Sequence, residues 1–296
     1  MVYRTLQELD LSPGDLPVLS PPGRVLMARP TYFDVTYAIN PYMADQIGKV
    51  NVDRARRQWN ELRNVYVELG YTVDIIEGVP GLPDMVFSAN QTLPYLMPDG
   101  SKHVLLSRMH AEQRRDEVPH FRSVFEEHGY TIHEIPEAVE GSFEGMGDGL
   151  WHRGHDLLWG GYGIRTDLSV YEWLADELDL AIVALELEDP RFYHLDTCLS
   201  LLDPHSALVY PGALTLEGRQ LVENCFDTVI EVPEQEATDL LACNAHCPDG
   251  THVLIQEGCD TTVSELSMAG FRPIEVDVSE FLRAGGSVSC MKLMYW

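Results

Sequence analysis

Apolar positions along this chain return as a repeating phrase. An apolar run bounded by Gly, Pro or Asp comes first. A polar stretch with helical spacing follows it, and then a short amphipathic strand. The apolar runs at 25–29, 104–108, 157–162, 207–210 and 253–255 read as buried strands. The stretches at 53–69, 111–128, 168–177, 217–224 and 261–269 read as amphipathic helices, and 70–76, 129–135, 180–187, 227–232 and 270–278 as the strands that follow them. Two of these open alike, with Gly70-Tyr71 and Gly129-Tyr130. A further strand belongs to most passes, so the unit is ββαβ. Five passes at a period of about 45–60 residues predict an α/β fold built by radial repetition about an axis, a five-bladed α/β propeller. An open doubly wound sheet also alternates strands and helices. Against it, no glycine-rich phosphate loop joins the first strand to its helix. No Pro- or Ser-rich linker divides the chain, so residues 1–296 are expected to form one domain, with 1–21 as an N-terminal extension.

Composition narrows the partners. The formal charge is −27, and Lys49, Lys102 and Lys292 are the only lysines. Such a surface repels phosphate backbones and argues against nucleic acid, while a cationic small molecule would be drawn to it. Residues 1–21 carry acids where a secretory signal needs a basic start and an apolar run. No apolar stretch reaches membrane-spanning length. The six cysteines are therefore expected to be reduced thiols in a cytoplasmic protein. No feature speaks for a particular oligomeric state.

Candidate chemistry lies in a few segments. Gly285-Gly286-Ser287-Val288-Ser289-Cys290 is a diglycine leading into a small-residue strand that could present Cys290 at the floor of a pocket, although a lone cysteine is more often a buried structural residue. His194 and Asp196 stand two apart in what reads as a strand, which would turn imidazole and carboxylate to one face. Glu144 and Asp148 sit among Gly145, Gly147 and Gly149, a setting suited to bidentate pairing with a planar cation. Arg165 follows a glycine-rich strand end and could hold a carboxylate. Residues 83–90, ending in Asn90, and 36–42, with Asn40 before Pro41, read as loops. His246 lies between Cys243 and Cys247, but no second pair stands at zinc-ligand spacing. No metal or organic cofactor is expected.

Taken together these segments resemble the guanidino-group-modifying superfamily of arginine deiminases, dimethylarginine dimethylaminohydrolases and amidinotransferases, and most nearly its arginine dihydrolase domains. The resemblance rests on Ile39-Asn40-Pro41, Pro83-Asp84 through Asn90, Leu106-Ser107-Arg108, Phe143-Glu144-Gly145 with Gly147-Asp148, Arg165, Phe192 through Cys198, Ala242-Cys243-Asn244 and Gly285-Gly286 with Cys290. The fold it implies is the five-bladed pentein propeller. The activity it implies is hydrolysis of the guanidino group of L-arginine, with Cys290 as nucleophile, His194 as acid and base, and Glu144 pairing with the guanidinium. Asp148 and Asp196 would help to bind it, and Arg108 and Arg165 would hold the α-carboxylate. Asn90, where deiminases resemble one another in carrying Asp, would retain a neutral ureido intermediate for a second hydrolysis to ornithine, with help from Asn40. Citrulline as the product, a dimethylarginine hydrolase, an amidinotransferase and a non-catalytic binding pentein are the alternatives. Some relatives carry a fused ornithine cyclodeaminase region. None follows here, and ornithine is expected as the end product.

Overall fold

The computed structural model describes residues 1–296. Its strands form five separate sheets, three of which repeat one plan. A central strand pairs antiparallel with the strand before it, and parallel with the strand that follows the next helix. The second sheet shows the plan: Lys102–Leu106 runs antiparallel to Thr92–Leu96 and parallel to Thr131–His133. Leu157–Tyr162 stands between Gly149–Trp151 and Ala181–Glu186 in the same way, and Ser206–Val209 between Leu199–Asp203 and Thr228–Glu231. The fifth sheet pairs His252–Gln256 with Arg272–Val276, and a single bridge from His246 to Leu254 replaces its antiparallel strand. In the first sheet Arg24–Ala28 is parallel to Thr72–Ile76, and its antiparallel partner is Leu293–Tyr295, at the far end of the chain.

Each parallel pair is joined by one of the expected helices: Val52–Glu68, Val118–Glu127, Leu168–Leu178, Leu216–Cys225 and Asp260–Met268. The first starts where the Asn51 side chain accepts from the Arg54 N–H, and it buries Ala55, Trp59, Leu62 and Tyr66 at helical spacing. The long helix expected from 111 begins instead as a 3-10 turn, Glu112–Glu117, with Pro119 at the start of the true helix. Proline lacks the N–H an interior position needs and is favoured in the first turn. Residues 1–21 are more than an extension, because Val2–Tyr3 adds a parallel strand to Ala181–Glu186.

Six of the nine candidate residues fall at one recurring place in this plan, the segment leading into each antiparallel strand, while Asn40, Arg108 and Arg165 follow central strands. Asn90 precedes Thr92–Leu96, Glu144 and Asp148 precede Gly149–Trp151, and His194 and Asp196 precede Leu199–Asp203. Asn244 precedes the His246 bridge and Cys290 precedes Leu293–Tyr295. No helix is long and apolar enough to cross a membrane.

Candidate active site

Cys290 lies in a turn, not on the small-residue strand expected from sequence. Asn244 builds that turn. Its Oδ1 accepts from the N–H groups of Ser287 and Cys290, both at 3.1 Å, and its Nδ2 donates to the Asp196 carbonyl at 2.8 Å and faces the thiol at 3.2 Å. One buried amide thus ties the nucleophile to the segment that carries Asp196. Asn244 belonged to the matched motif, but no chemistry was assigned to it.

His194 and Asp196 do not share a strand face. His194 caps a short 3-10 turn, Leu195–Thr197, so the two side chains diverge. His194 Nε2 meets Glu144 Oε2 at 2.6 Å, whereas Asp196 Oδ2 accepts from the Cys290 thiol at 3.3 Å. The other Asp196 oxygen, Oδ1, is buried without a partner. Burial pushes the Cys290 thiol well above its ordinary range, and the Asp196 carboxylate pushes it further. In the free protein the sulfur is accordingly a protonated donor.

Glu144 is saturated. Its Oε1 accepts from the N–H groups of His110 and Ala111, and its Oε2 takes both His194 and Arg165 Nη1, the latter at 3.0 Å. Burial alone would raise this carboxyl. The hydrogen bond and charge of His194, with Arg165 and Arg114, outweigh it and hold the group well below the usual range. It is a fixed anion under the imidazole. Arg165 also donates Nη2 to the Ile39 carbonyl at 2.7 Å and lies over the Tyr193 ring at 4.9 Å.

Asn90 is oriented by a residue that sequence reading missed. Arg114 Nη1 donates to Asn90 Oδ1 at 2.8 Å, which turns Nδ2 toward His194 Nδ1, 3.4 Å away. His194 therefore carries its hydrogen on Nε2, toward Glu144. Arg114 is itself held by Glu117 at 2.9 Å and by the carbonyls of Asp84 and Phe87. The signal was present in the helical spacing of Arg114 and Glu117, but three-apart pairs are normally read as solvated surface. Gly147 lets Asn90 and His194 come this close: a Cβ there would stand 2.3 Å from Asn90 Nδ2.

Three expected ligands have other work. Asp148 accepts from the Leu195 N–H at 3.0 Å and from the Thr166 hydroxyl at 2.7 Å, so it pins the turn between His194 and Asp196. Burial pushes its carboxyl up to about 6. Asn40 accepts from the N–H groups of Tyr42 and Met43 and donates to the Ala284 carbonyl at 2.9 Å, and it lines the pocket as a loop clamp. Arg108 is not brought to the site. Its guanidinium is spent on the carbonyls of Ile135, Pro136, Val139 and Gly141, where it secures the loop before Phe143.

The pocket above Cys290 is lined also by Ile39, Met43, Phe87, Tyr193 and Asp84, and encloses only about 10 Å³. Asp84 accepts from the Tyr37 hydroxyl at 2.8 Å through Oδ2, while its buried Oδ1 has no partner. A wider mouth of about 470 Å³ adjoins this pocket and shares Ile39, Asn40, Arg165 and Tyr193 with it. The site thus combines a thiol, an imidazole on a fixed carboxylate, and two buried carboxylate oxygens that still need donors.

The sequence profile of the eukaryotic N,N dimethylarginine dimethylhydrolase family matches residues 29–294. The bifunctional arginine dihydrolase/ornithine cyclodeaminase ArgZ of Synechocystis sp. is 38% identical over 273 residues; these are 91% of this chain but only 37% of the cyanobacterial protein. The N(G),N(G)-dimethylarginine dimethylaminohydrolase of Mycobacterium tuberculosis is also 38% identical, over 91% of this chain and 85% of its own length. A crystal structure of the N-terminal domain of ArgZ, an asparagine-to-serine variant covalently bonded to a reaction intermediate, matches with a TM-score of 0.84 and 37% identity, covering 92% of this chain and 97% of that one.

Proposed function

The chain belongs to the N,N dimethylarginine dimethylhydrolase family, and on that footing we propose that it hydrolyses the guanidino group of L-arginine through a covalent cysteine adduct, releasing ornithine, carbon dioxide and two ammonia. The observation that carries this reading is the Cys290 thiol set between two orphan carboxylate oxygens: Oδ1 of Asp84, which lines the same pocket, and Oδ1 of Asp196, whose other oxygen accepts from the thiol. Buried acceptors call for donors, and arginine brings two cationic groups to supply them. Residues 1–296 are read as one catalytic domain, with the five sheets as the blades of a propeller and the lead-in segments meeting at its axis. The six cysteines are free, which suits a reducing compartment and a cytoplasmic enzyme.

Each step falls to a residue already placed. Once the guanidinium is bound, its charge offsets that of Asp196, the Cys290 thiol passes its proton to the neutral His194, and the thiolate adds to the guanidino carbon. His194 gives a proton to the departing ammonia, and Glu144 stabilises the imidazole in both protonation states. His194 then takes a proton from the water that cleaves the adduct. A second round on the neutral ureido group releases the second ammonia and carbon dioxide, so two waters are consumed per arginine. Asn90 favours this second round. Its amide, held by Arg114, offers N–H donors to a neutral oxygen, whereas a carboxylate in its place would hold only the cation.

The test is product analysis with carbon-labelled arginine. Wild type should release ornithine with little citrulline, Cys290→Ser should release neither, and Asn90→Asp should shift the product toward citrulline. Citrulline as the main wild-type product would make the protein a deiminase. Turnover of dimethylarginine in preference to arginine would favour the activity named for the mycobacterial relative.

A further inference from the structure

Behind the layer that carries Cys290 lies a second cavity, of about 460 Å³. Its wall comes from the same lead-in segments, from positions that alternate with those of the catalytic side. Met146 stands between Glu144 and Asp148, Ala245 follows Asn244, and Ser289 and Lys292 flank Cys290.

Lys292 is the unusual member of this wall. The residue is only 4% exposed and lines the cavity, and its ammonium makes no hydrogen bond or ion pair with the protein; Asp196 and Cys290 act on it through charge alone, against the larger effect of burial. A buried charge without a partner is costly, and a chain with a formal charge of −27 had many acids with which to neutralise it. Two acids also line the cavity, and both are engaged elsewhere. Asp203 accepts from the His205 N–H, and Asp249 is used by the Thr251 and His252 N–H groups and the His252 ring. Arg153, at the rim, adds a second positive charge without an acid, for its Nη1 donates only to the carbonyls of Cys247 and Pro248. Burial brings the Lys292 amine down to about 8, which leaves it mainly protonated at neutral pH. Much of the remaining wall is apolar, with Trp151 and Met294 facing the same space.

We infer that this cavity is a second ligand site, which takes a small monocarboxylate with an apolar body, its carboxylate on Lys292 and its body against Trp151 and Met294. The site is opposite in sign to the pocket above Cys290, where unpaired groups are carboxylates. Its volume suits a ligand of the size of a substituted benzoate.

The test uses benzoate as the probe and the intact protein. Titration followed by tryptophan fluorescence should show saturable binding. Lys292→Met should weaken it at least about tenfold, as expected for loss of a charge-assisted hydrogen bond. Benzylamine, with the same body and the opposite charge, should not bind. Protein alkylated at Cys290 should bind benzoate as before, so the measurement is independent of turnover and of the proposed reaction. A second reading needs no variant. With only three lysines in the chain, the side-chain NMR signal of Lys292 can be resolved, and benzoate should shift it while leaving Lys49 and Lys102 in place. The inference is overturned if benzoate shows no saturable binding, if Lys292→Met binds equally well, if the Lys292 signal does not move, or if alkylation of Cys290 abolishes binding.

Discussion

Replacing Asp196 by Asn should make the Cys290 sulfur more reactive while making the enzyme worse. Asp196 Oδ2 stands 3.3 Å from the thiol and accepts its hydrogen. A unit charge at that distance opposes thiolate formation by about 1 kcal/mol at the dielectric of water and about 5 kcal/mol at an effective dielectric of 20. In pKa terms this is roughly one to four units. Thiolate nucleophilicity falls as its pKa falls, recovering about half of the logarithmic gain as loss. Alkylation of the free Asp196→Asn protein at pH 7.5 should therefore be roughly 3-fold to 100-fold faster than wild type. The cleanest assay is the pH profile of iodoacetamide inactivation, read by mass. Opening of the closed pocket scales all points alike, and the midpoint reports the thiol. Turnover of arginine should move the other way, by about 10–100-fold in kcat/KM, because a charged hydrogen bond to the guanidinium is lost. A midpoint that stays put or rises in Asp196→Asn would refute the assignment of Asp196 as the group that keeps the thiol protonated.

His194→Ala should cost about 10²–10⁴-fold in kcat, whereas His205→Ala, at an exposed pair with Asp227, should leave the rate within experimental error; equal losses would make His194 structural. Arg108→Ala should lower stability by about 2 kcal/mol, since four carbonyls lose a charged donor; thermal melts and KM should show a lower Tm and an almost unchanged KM. Gly147→Ala should cut kcat far more than it lowers Tm, because its Cβ would be driven into the Asn90 amide; an active Gly147→Ala enzyme would show that the Asn90–His194 approach is dispensable.

The repeating plan was legible because its periodicities are local. Helical spacing and short apolar runs gave four of the five helices and the parallel strands beside them to within a few residues, while the helix expected from 111 starts only at Val118. The site was legible as a set of segments but not as a set of contacts. His194 and Asp196 were found for a reason that does not hold, strand alternation, when a 3-10 turn sends them to different partners. Arg108 and Arg165 look alike in the chain, and only the long-range packing decides that one secures a loop while the other reaches Glu144. Arg114, Glu117 and Asp84 are charged residues that sequence alone places on the surface. Arg114 and Glu117 are buried because they satisfy each other and Asn90, while Asp84 is held by the Tyr37 hydroxyl on one oxygen and keeps the other without a partner.

The first sheet is closed by the last strand. Leu293–Tyr295 joins Arg24–Ala28 through three register pairs, and Tyr295 is tied to Asp74. Cys290 hangs three residues before that short seam, so the sulfur's position depends on a stretch of sheet with only three rungs. Ends held by few pairs open before the bulk of a fold. Heat or mild denaturant should thus unhook the nucleophile while the other four sheets persist, and catalytic death would run ahead of melting as an early, reversible fuse.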